Sequence, residues 1–244
     1  MRRLATIGGM PSVSATAPFV PDPLTGSHAL QIAGEAVRLL PERALWWPAA
    51  GTVFVADVHL GKAATFRARG IPVPGGTTQG NLQRLTGLLD GLGAQRLVVL
   101  GDFLHAAEAR NPALLEALGG WRARHAGVAM VLVRGNHDGH AGDPPPHLDI
   151  AVVDEPWHTG PFAGCHHPQA HPTQHVLAGH VHPSTVLRGP GRDAVRLPCF
   201  AVTGQLTLLP AFGLFTGSAG LASAPERCLF AVGGGRVWPV PAGR

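Results

Sequence analysis

Two textures of hydrophobic and polar positions divide this chain. Between about residues 52 and 133, the short apolar runs TVFVA, RLVVLG and VLVRG alternate with longer stretches at helical spacing. Residues 77–92 set Leu82, Leu85, Leu88, Leu89 and Leu92 on one face, and 112–124 do the same with Leu114, Leu115, Leu118 and Trp121. Short apolar runs bounded by glycine or polar residues read as buried strands, whereas apolar positions three and four apart read as amphipathic helices. The pattern predicts a β-α-β-α-β unit of parallel strands with crossover helices, including a helix at 61–69 and one opened by Pro112. Three short strands are expected ahead of it, at 28–33, 36–40 and 44–47, with Trp46 and Trp47 covering a sheet. From about residue 150 the apolar runs are short and broken by Gly and Pro, which predicts a mostly β half with turns at 190–192 and 233–236. The expected fold class is α/β: a sandwich of two mixed β-sheets packed face to face and flanked by helices, one sheet from each half of the chain.

Composition narrows the picture. Of 244 residues, 45% are hydrophobic and 14% charged, so the chain has material for a sizeable core and is not disordered throughout. One domain over 28–244 is expected, after a disordered tail at 1–27 that is rich in Pro, Ser, Thr and Ala and has no amphipathic period. Arg2, Arg3 and the small residues near Ala17 imitate a signal peptide, but Gly8, Gly9 and Pro11 interrupt its apolar centre. No apolar run reaches membrane-spanning length, and a cytoplasmic protein is expected. The net charge is +4, and Lys62 is the only lysine, so the positive charge is nearly all arginine, which pairs well with phosphate. That excess fits an anionic substrate without demonstrating nucleic-acid binding. Cys165, Cys199 and Cys228 lack CxxC spacing and read as buried reduced thiols.

The chemistry lies where the apolar runs stop. TVFVA is followed by Asp57 and His59, RLVVLG by Asp102, VLVRG by Asn136, His137 and Asp138, PFAGC by His166 and His167, and HVLAG by His180 and His182. Each group would stand at the carboxyl end of a strand, the edge where open α/β sheets bind ligands. A single such histidine is most simply a surface or hydrogen-bonded residue. Five groups in register form a mixed O/N donor set suited to Mn, Fe, Zn or Mg, and point to a two-metal hydrolase. Asp102 follows a glycine that allows a tight turn, and has two oxygens with which to bridge two ions.

The ordered set DVH, GDFLH, GNHD, HH and GHVH, spanning about residues 52–184, resembles the calcineurin-like metallophosphoesterases. The resemblance implies a four-layer α/β sandwich with a dinuclear centre. One metal would be held by Asp57, His59, Asp102 and His182, the other by Asp102, Asn136, His166 and His180. His166 is preferred to His167 because the family's ligand comes directly off the strand. A water activated by both metals would attack phosphorus in line. His137 would contact the phosphate and protonate the leaving oxygen, with Asp138 orienting its imidazole and raising its pKa.

A longer set, DVHLGKAATFRARGIPVPGG at 57–76, GDFLH at 101–105, RGNHD at 134–138, CHHP at 165–168 and LPCF at 197–200, is similar to the bacterial DNA ligase-associated metallophosphoesterases. That resemblance implies a manganese-dependent DNA endonuclease or phosphodiesterase in DNA repair, linked to an ATP-dependent DNA ligase and a helicase, with Fe or Zn as alternative metals. The GDFLH motif puts His105 where the wider superfamily often has an acidic residue, and His105 reads as a substrate or supporting contact, or as a structural hydrogen bond. Lys62, Arg67, Arg69, Arg110 and Arg134 are close enough in sequence to the ligand loops to contact a DNA backbone. With no aromatic platform in the motif region apart from Phe66 and Phe103, and no tyrosine at all, sequence-specific reading is not expected; single-stranded or damaged DNA is. Two other readings stay open. The same metals would serve a phosphodiesterase or phosphomonoesterase of small nucleotides, and the same fold would serve a noncatalytic scaffold.

Overall fold

The computed structural model describes residues 24–68, 70, 76–106, 111–214 and 216–241. The first sheet opens as an antiparallel meander of β1 (His28–Ile32), β2 (Glu35–Leu39), β3 (Leu45–Trp47) and β4 (Thr52–Ala56). It continues as a parallel array of β5 (Arg96–Leu100), β6 (Ala129–Val133) and β7 (Ala151–Val153), seven strands in sequential order. Helices α1 (Lys62–Ala68) and α2 (Thr77–Leu92) cross from β4 to β5, α3 (Pro112–Arg124) from β5 to β6, and the short α4 (Asn136–Ala141) follows β6. Asn111 caps α3, its side chain accepting from Leu114 N at 3.0 Å, and Pro112 takes the first turn, where no amide donor is needed.

The second half builds the other sheet from β8 (Trp157–Thr159), β9 (Phe162–Cys165), β10 (His175–Ala178), β11 (Pro183–Arg188), β12 (Ala194–Val202), β13 (Leu206–Leu208), β14 (Ala219–Gly220), β15 (Cys228–Gly233) and β16 (Arg236–Val240). β10 lies between β9 and β13 in parallel, while β11, β13 and β15 pair antiparallel with β12. The pair of mixed sheets is as expected. No α-helix follows Ala141 among the described residues, and none is long and apolar enough to cross a membrane.

Period-two alternation sorts the buried side chains into layers. Val53 and Val55 join α2 and α3 in one core through Leu82, Leu85, Leu118 and Trp121. Phe54, Val98 and Leu100 face the other way and meet Phe162, Leu177, Phe200 and Phe230 between the sheets. Full burial of such side chains contributes about 1.5–3 kcal/mol each. Trp46 and Trp47, both 7% exposed, are divided between these two cores, so the pair is packing material on both faces of β3.

Two expectations need correction. Residues 1–23 lie outside the described residues, but 24–27, assigned to a disordered tail, are packed: Leu24 rests on the helical core, Ser27 Oγ donates to the Leu24 carbonyl, and Val237 N donates to Gly26 O at 2.8 Å. Apolar contact and a β16 partner hold the segment in place. Cys165 and Cys199 are buried, but Cys228 is exposed, because it begins β15 at the sheet margin before the strand enters the core.

Candidate metal centre

β4, β5, β6, β9 and β10 all end at one rim, and the backbone there is unusual. Asp57, His59, Asp102, His180 and His182 hold positive φ angles of 54°, 50°, 52°, 66° and 50°. Few non-glycine residues adopt the left-handed region, Asp and His among the more tolerant, and the usual cost is of order 1–3 kcal/mol each. Hydrogen bonds between loops enforce it. Asp57 N donates to Gly101 O at 3.2 Å, His59 N to Asp102 O at 2.9 Å, Gly179 N to His166 O at 3.1 Å, and His180 N to the Asp57 carboxylate at 2.9 Å.

Three glycines make room for the side chains. A methyl on Gly135 would stand 2.4 Å from Asp102 Oδ1, one on Gly179 would stand 2.7 Å from Asp57 Oδ2, and one on Gly101 would overlap the His166 ring. Each precedes a predicted ligand, as Gly-Asp, Gly-Asn and Gly-His, so a dipeptide signal was present in the sequence at all three sites although the reading used only Gly101.

The donors gather around Asp102. On one side His59 Nε2 lies 3.8 Å from Asp102 Oδ2, and His182 Nε2 lies 3.4 Å from Asp57 Oδ1. On the other, His166 Nε2 lies 3.6 Å from Asp102 Oδ1, 2.8 Å from Asn136 Oδ1 and 3.0 Å from His180 Nδ1. Ligand atoms of Asp57, His59 and His182, of Asp57, Asp102 and His166, and of His166, His167 and His180 each come within 4.8 Å of one another. His59 Nε2 is buried with no hydrogen-bond partner, an orphaned polar atom that a cation would satisfy. The residues fit a pair of divalent ions, with O/N donors and no thiolate.

Electrostatics favour the neutral ligand form of His59 and His180. Burial, then Lys62 and the surrounding imidazoles, push the His59 pKa down to about 2, so the ring is neutral as coordination requires. Burial and the neighbouring His166 and His167 also lower His180. His182 moves up: burial opposes its charge, but the hydrogen bond and charge of Asp57 outweigh it. Lys62 is half-buried and lowered by desolvation against the pull of Asp102 and Asp57, which puts the one lysine at the centre's edge.

The remaining expectations divide. His166 is fully buried among the donors, whereas the His167 ring turns to Glu155 Oε1 at 2.8 Å. His137 is 40% exposed at its side chain, with Nε2 4.0 Å from Asp102 Oδ2 and Nδ1 2.9 Å from the His105 carbonyl. The carbonyl can only accept, so Nδ1 carries the proton. Asp138 does not orient that imidazole, and this expectation is corrected. Its carboxylate accepts from Phe103 N at 3.0 Å, Leu104 N at 3.2 Å and Gly135 N at 2.9 Å, which ties the two ligand loops together. Burial pushes its pKa up to about 6, against those three amides. Arg134 is corrected too: its guanidinium is clasped by Asp143 at 3.0 Å and by Asp154, and is not held ready for substrate. His105 stacks on His137 at 5.0 Å and faces His59 Nδ1 at 3.4 Å, a supporting position. Arg67 is exposed on α1, and Arg69 and Arg110 lie outside the described residues.

Sequence reasoning missed Glu155. Its carboxylate accepts from the amides of His166 at 2.6 Å and His167 at 2.9 Å, fixing the loop after β9. An acidic residue before Pro156 carries no pattern that would have marked it.

The calcineurin-like phosphoesterase family model matches residues 52–180. Among solved structures, the nuclease MPE of Pseudomonas putida is 49% identical, with a TM-score of 0.78, covering 88% of this chain and 100% of that one. Yfce, a phosphoesterase from E. coli, is 16% identical, with a TM-score of 0.40, over 79% of this chain and 99% of that one, a likeness too distant to bear on the site. No curated protein matches the chain.

Proposed function

The chain belongs to the calcineurin-like phosphoesterase family, a metal-dependent hydrolase by that membership, and we propose that it is a dinuclear nuclease that cleaves phosphodiester bonds in DNA. Asp102 carries this reading. It stands between two groups of imidazole and carboxylate donors, with an oxygen toward each. On the proposal, Asp57, His59, Asp102 and His182 hold one cation and Asp102, Asn136, His166 and His180 the other. Manganese is the proposed metal, with Fe or Zn accepted by the same donors. Such cations supply Lewis acidity and a nucleophile derived from water at neutral pH.

The chain's own residues do the rest. His137, held through Nδ1 by the His105 carbonyl, presents Nε2 beside the donors and, as the doubly protonated imidazolium, gives the Nε2 proton to the leaving oxygen, becoming the neutral Nδ1–H ring. Lys62 adds positive charge at the edge of the centre, where it favours an anionic diester. DNA as substrate is supported by the nuclease relative and by the arginine-rich balance of charge. The sequence carries no recognisable base-reading motif, which fits cleavage indifferent to sequence and inhibited by salt. A repair role beside an ATP-dependent ligase and a helicase, in the cytoplasm, rests on the resemblance of the motif region alone.

Circular single-stranded DNA tests the reading, because it has no ends. The wild type with manganese should linearise and then fragment it, and Asp102→Ala should not. A fully loaded wild type that leaves the circle intact yet hydrolyses bis(4-nitrophenyl) phosphate would move the substrate to small diesters. Loading without hydrolysis of any phosphoester would make the protein a scaffold.

A further inference from the structure

We propose that a cleft beside His182 is a second phosphate subsite, which binds the backbone phosphate adjacent to the one under attack. It rests on the nuclease reading and gives that reading a substrate geometry. The cleft measures about 220 Å³, smaller than the roughly 300–1,000 Å³ of drug-sized ligand pockets, and suits one small group. Arg43, Arg196, Ser184, Thr216 and Ser218 line it together with His182, and no acidic residue does. His182 is the shared wall: its Nε2 faces Asp57 Oδ1 at 3.4 Å, and its Nδ1 rests on the Gly217 carbonyl at 3.1 Å. An anion in the cleft would therefore be a direct neighbour of the metal centre.

The two arginines are placed rather than loose. Arg43 is half-buried in the turn before β3, and its Nη1 donates to the Ala211 carbonyl at 3.1 Å. Arg196 reaches across β11, with Nη1 donating to Ser184 Oγ at 3.2 Å. Ser184 is 1% exposed and donates in turn to the Ala219 carbonyl at 3.1 Å, so its lone pairs are left for the guanidinium. A methyl on Gly220 would stand 2.9 Å from Arg196 Nη1; the glycine leaves room for that end of the guanidinium beside β14. Neither arginine has a carboxylate partner among the described residues. Burial lowers the Arg43 pKa with no acidic group to offset it. A guanidinium partly stripped of water, with unused donors and no counterion, gains most from a phosphate, whose oxygens match its fork.

Small substrates read the subsite directly. A dinucleoside monophosphate carries only the scissile linkage; the same molecule with a terminal 5′- or 3′-phosphate carries a neighbour for the cleft. The manganese-loaded wild type should favour one phosphorylated form by roughly tenfold or more in kcat/KM, mostly through KM. In Arg196→Ala, an exposed position, that preference should shrink toward unity, and Arg43→Gln should reduce it in the same sense. Absence of a preference in the wild type, or its survival in both variants, would overturn the subsite. Hydrolysis of bis(4-nitrophenyl) phosphate with no cleavage of any dinucleotide or of DNA would instead bring down the nuclease reading, and the subsite with it.

Discussion

The imidazole of His166 sits where a side chain on Gly101 would have to go: a methyl there would stand 2.0 Å from His166 Nδ1 and 2.8 Å from its Cβ. Gly101 also has φ +77°, a conformation that costs an alanine roughly 1–2 kcal/mol. Gly101→Ala should therefore displace His166 and empty the side of the centre it shares with Asn136 and His180. Elemental analysis should find metal content falling from about two ions to nearer one, and diesterase activity should fall with it. Full loading and full activity in the variant would show that this contact has no bearing on the centre.

Asp138 is a brace. Asp138→Ala leaves the amides of Phe103, Leu104 and Gly135 without their acceptor. Each unsatisfied buried donor costs about 1–3 kcal/mol. Stability by urea unfolding should drop by roughly 3 kcal/mol or more, with metal affinity falling as the loops loosen. Unchanged stability with only turnover reduced would favour the imidazole-orienting role that the geometry argues against.

His137→Ala should separate binding from turnover. The ring is partly exposed and its Nδ1 is held by a carbonyl, so its removal leaves the other donors in place. Loss of a positioned proton donor lowers kcat by about 10²–10⁴. Elemental analysis should still find the wild-type metal content. Loss of an ion would reassign His137 as a ligand.

His175 makes stability depend on pH. Burial holds its pKa below the ordinary 6.5, with Nδ1 donating to the Gly204 carbonyl at 3.3 Å and Nε2 accepting from Thr207 Oγ1 at 2.8 Å. The unfolded chain binds a proton near pH 6.5 that the folded chain refuses. The stability this neutral pair confers is thus complete above pH 6.5 and is lost as pH falls toward the lower folded value. Between pH 7.5 and 5.5 the wild type should lose stability faster than His175→Gln, by up to about 1 kcal/mol per pH unit. Parallel curves would show that His175 stays charged or is exposed.

Much of the fold was legible because its signals are local and periodic. The leucine spacing located α2 at Thr77–Leu92, and Pro112 opened α3 where it was expected. The gathering of Asp57, Asp102, Asn136 and the histidines was legible for a different reason, since each ends an apolar run and parallel strands bring such ends to one rim. What stayed hidden depends on pairs distant in sequence. The partner of Asp138 is a loop 34 or 35 residues away, whereas the family resemblance implied the adjacent His137. Arg134 was read as a substrate contact because it adjoins the GNHD loop, yet Asp143 and Asp154, brought near by α4 and β7, claim it. Glu155 and the Arg43–Arg196 cleft are products of tertiary packing, with no spacing to announce them.

The left-handed backbone at Asp57, His59, Asp102, His180 and His182 is tied by main-chain bonds that run from one loop to the next. None of these residues can relax its φ without pulling on an acceptor in a neighbouring loop, so strain introduced at a single rim position is shared around the whole rim.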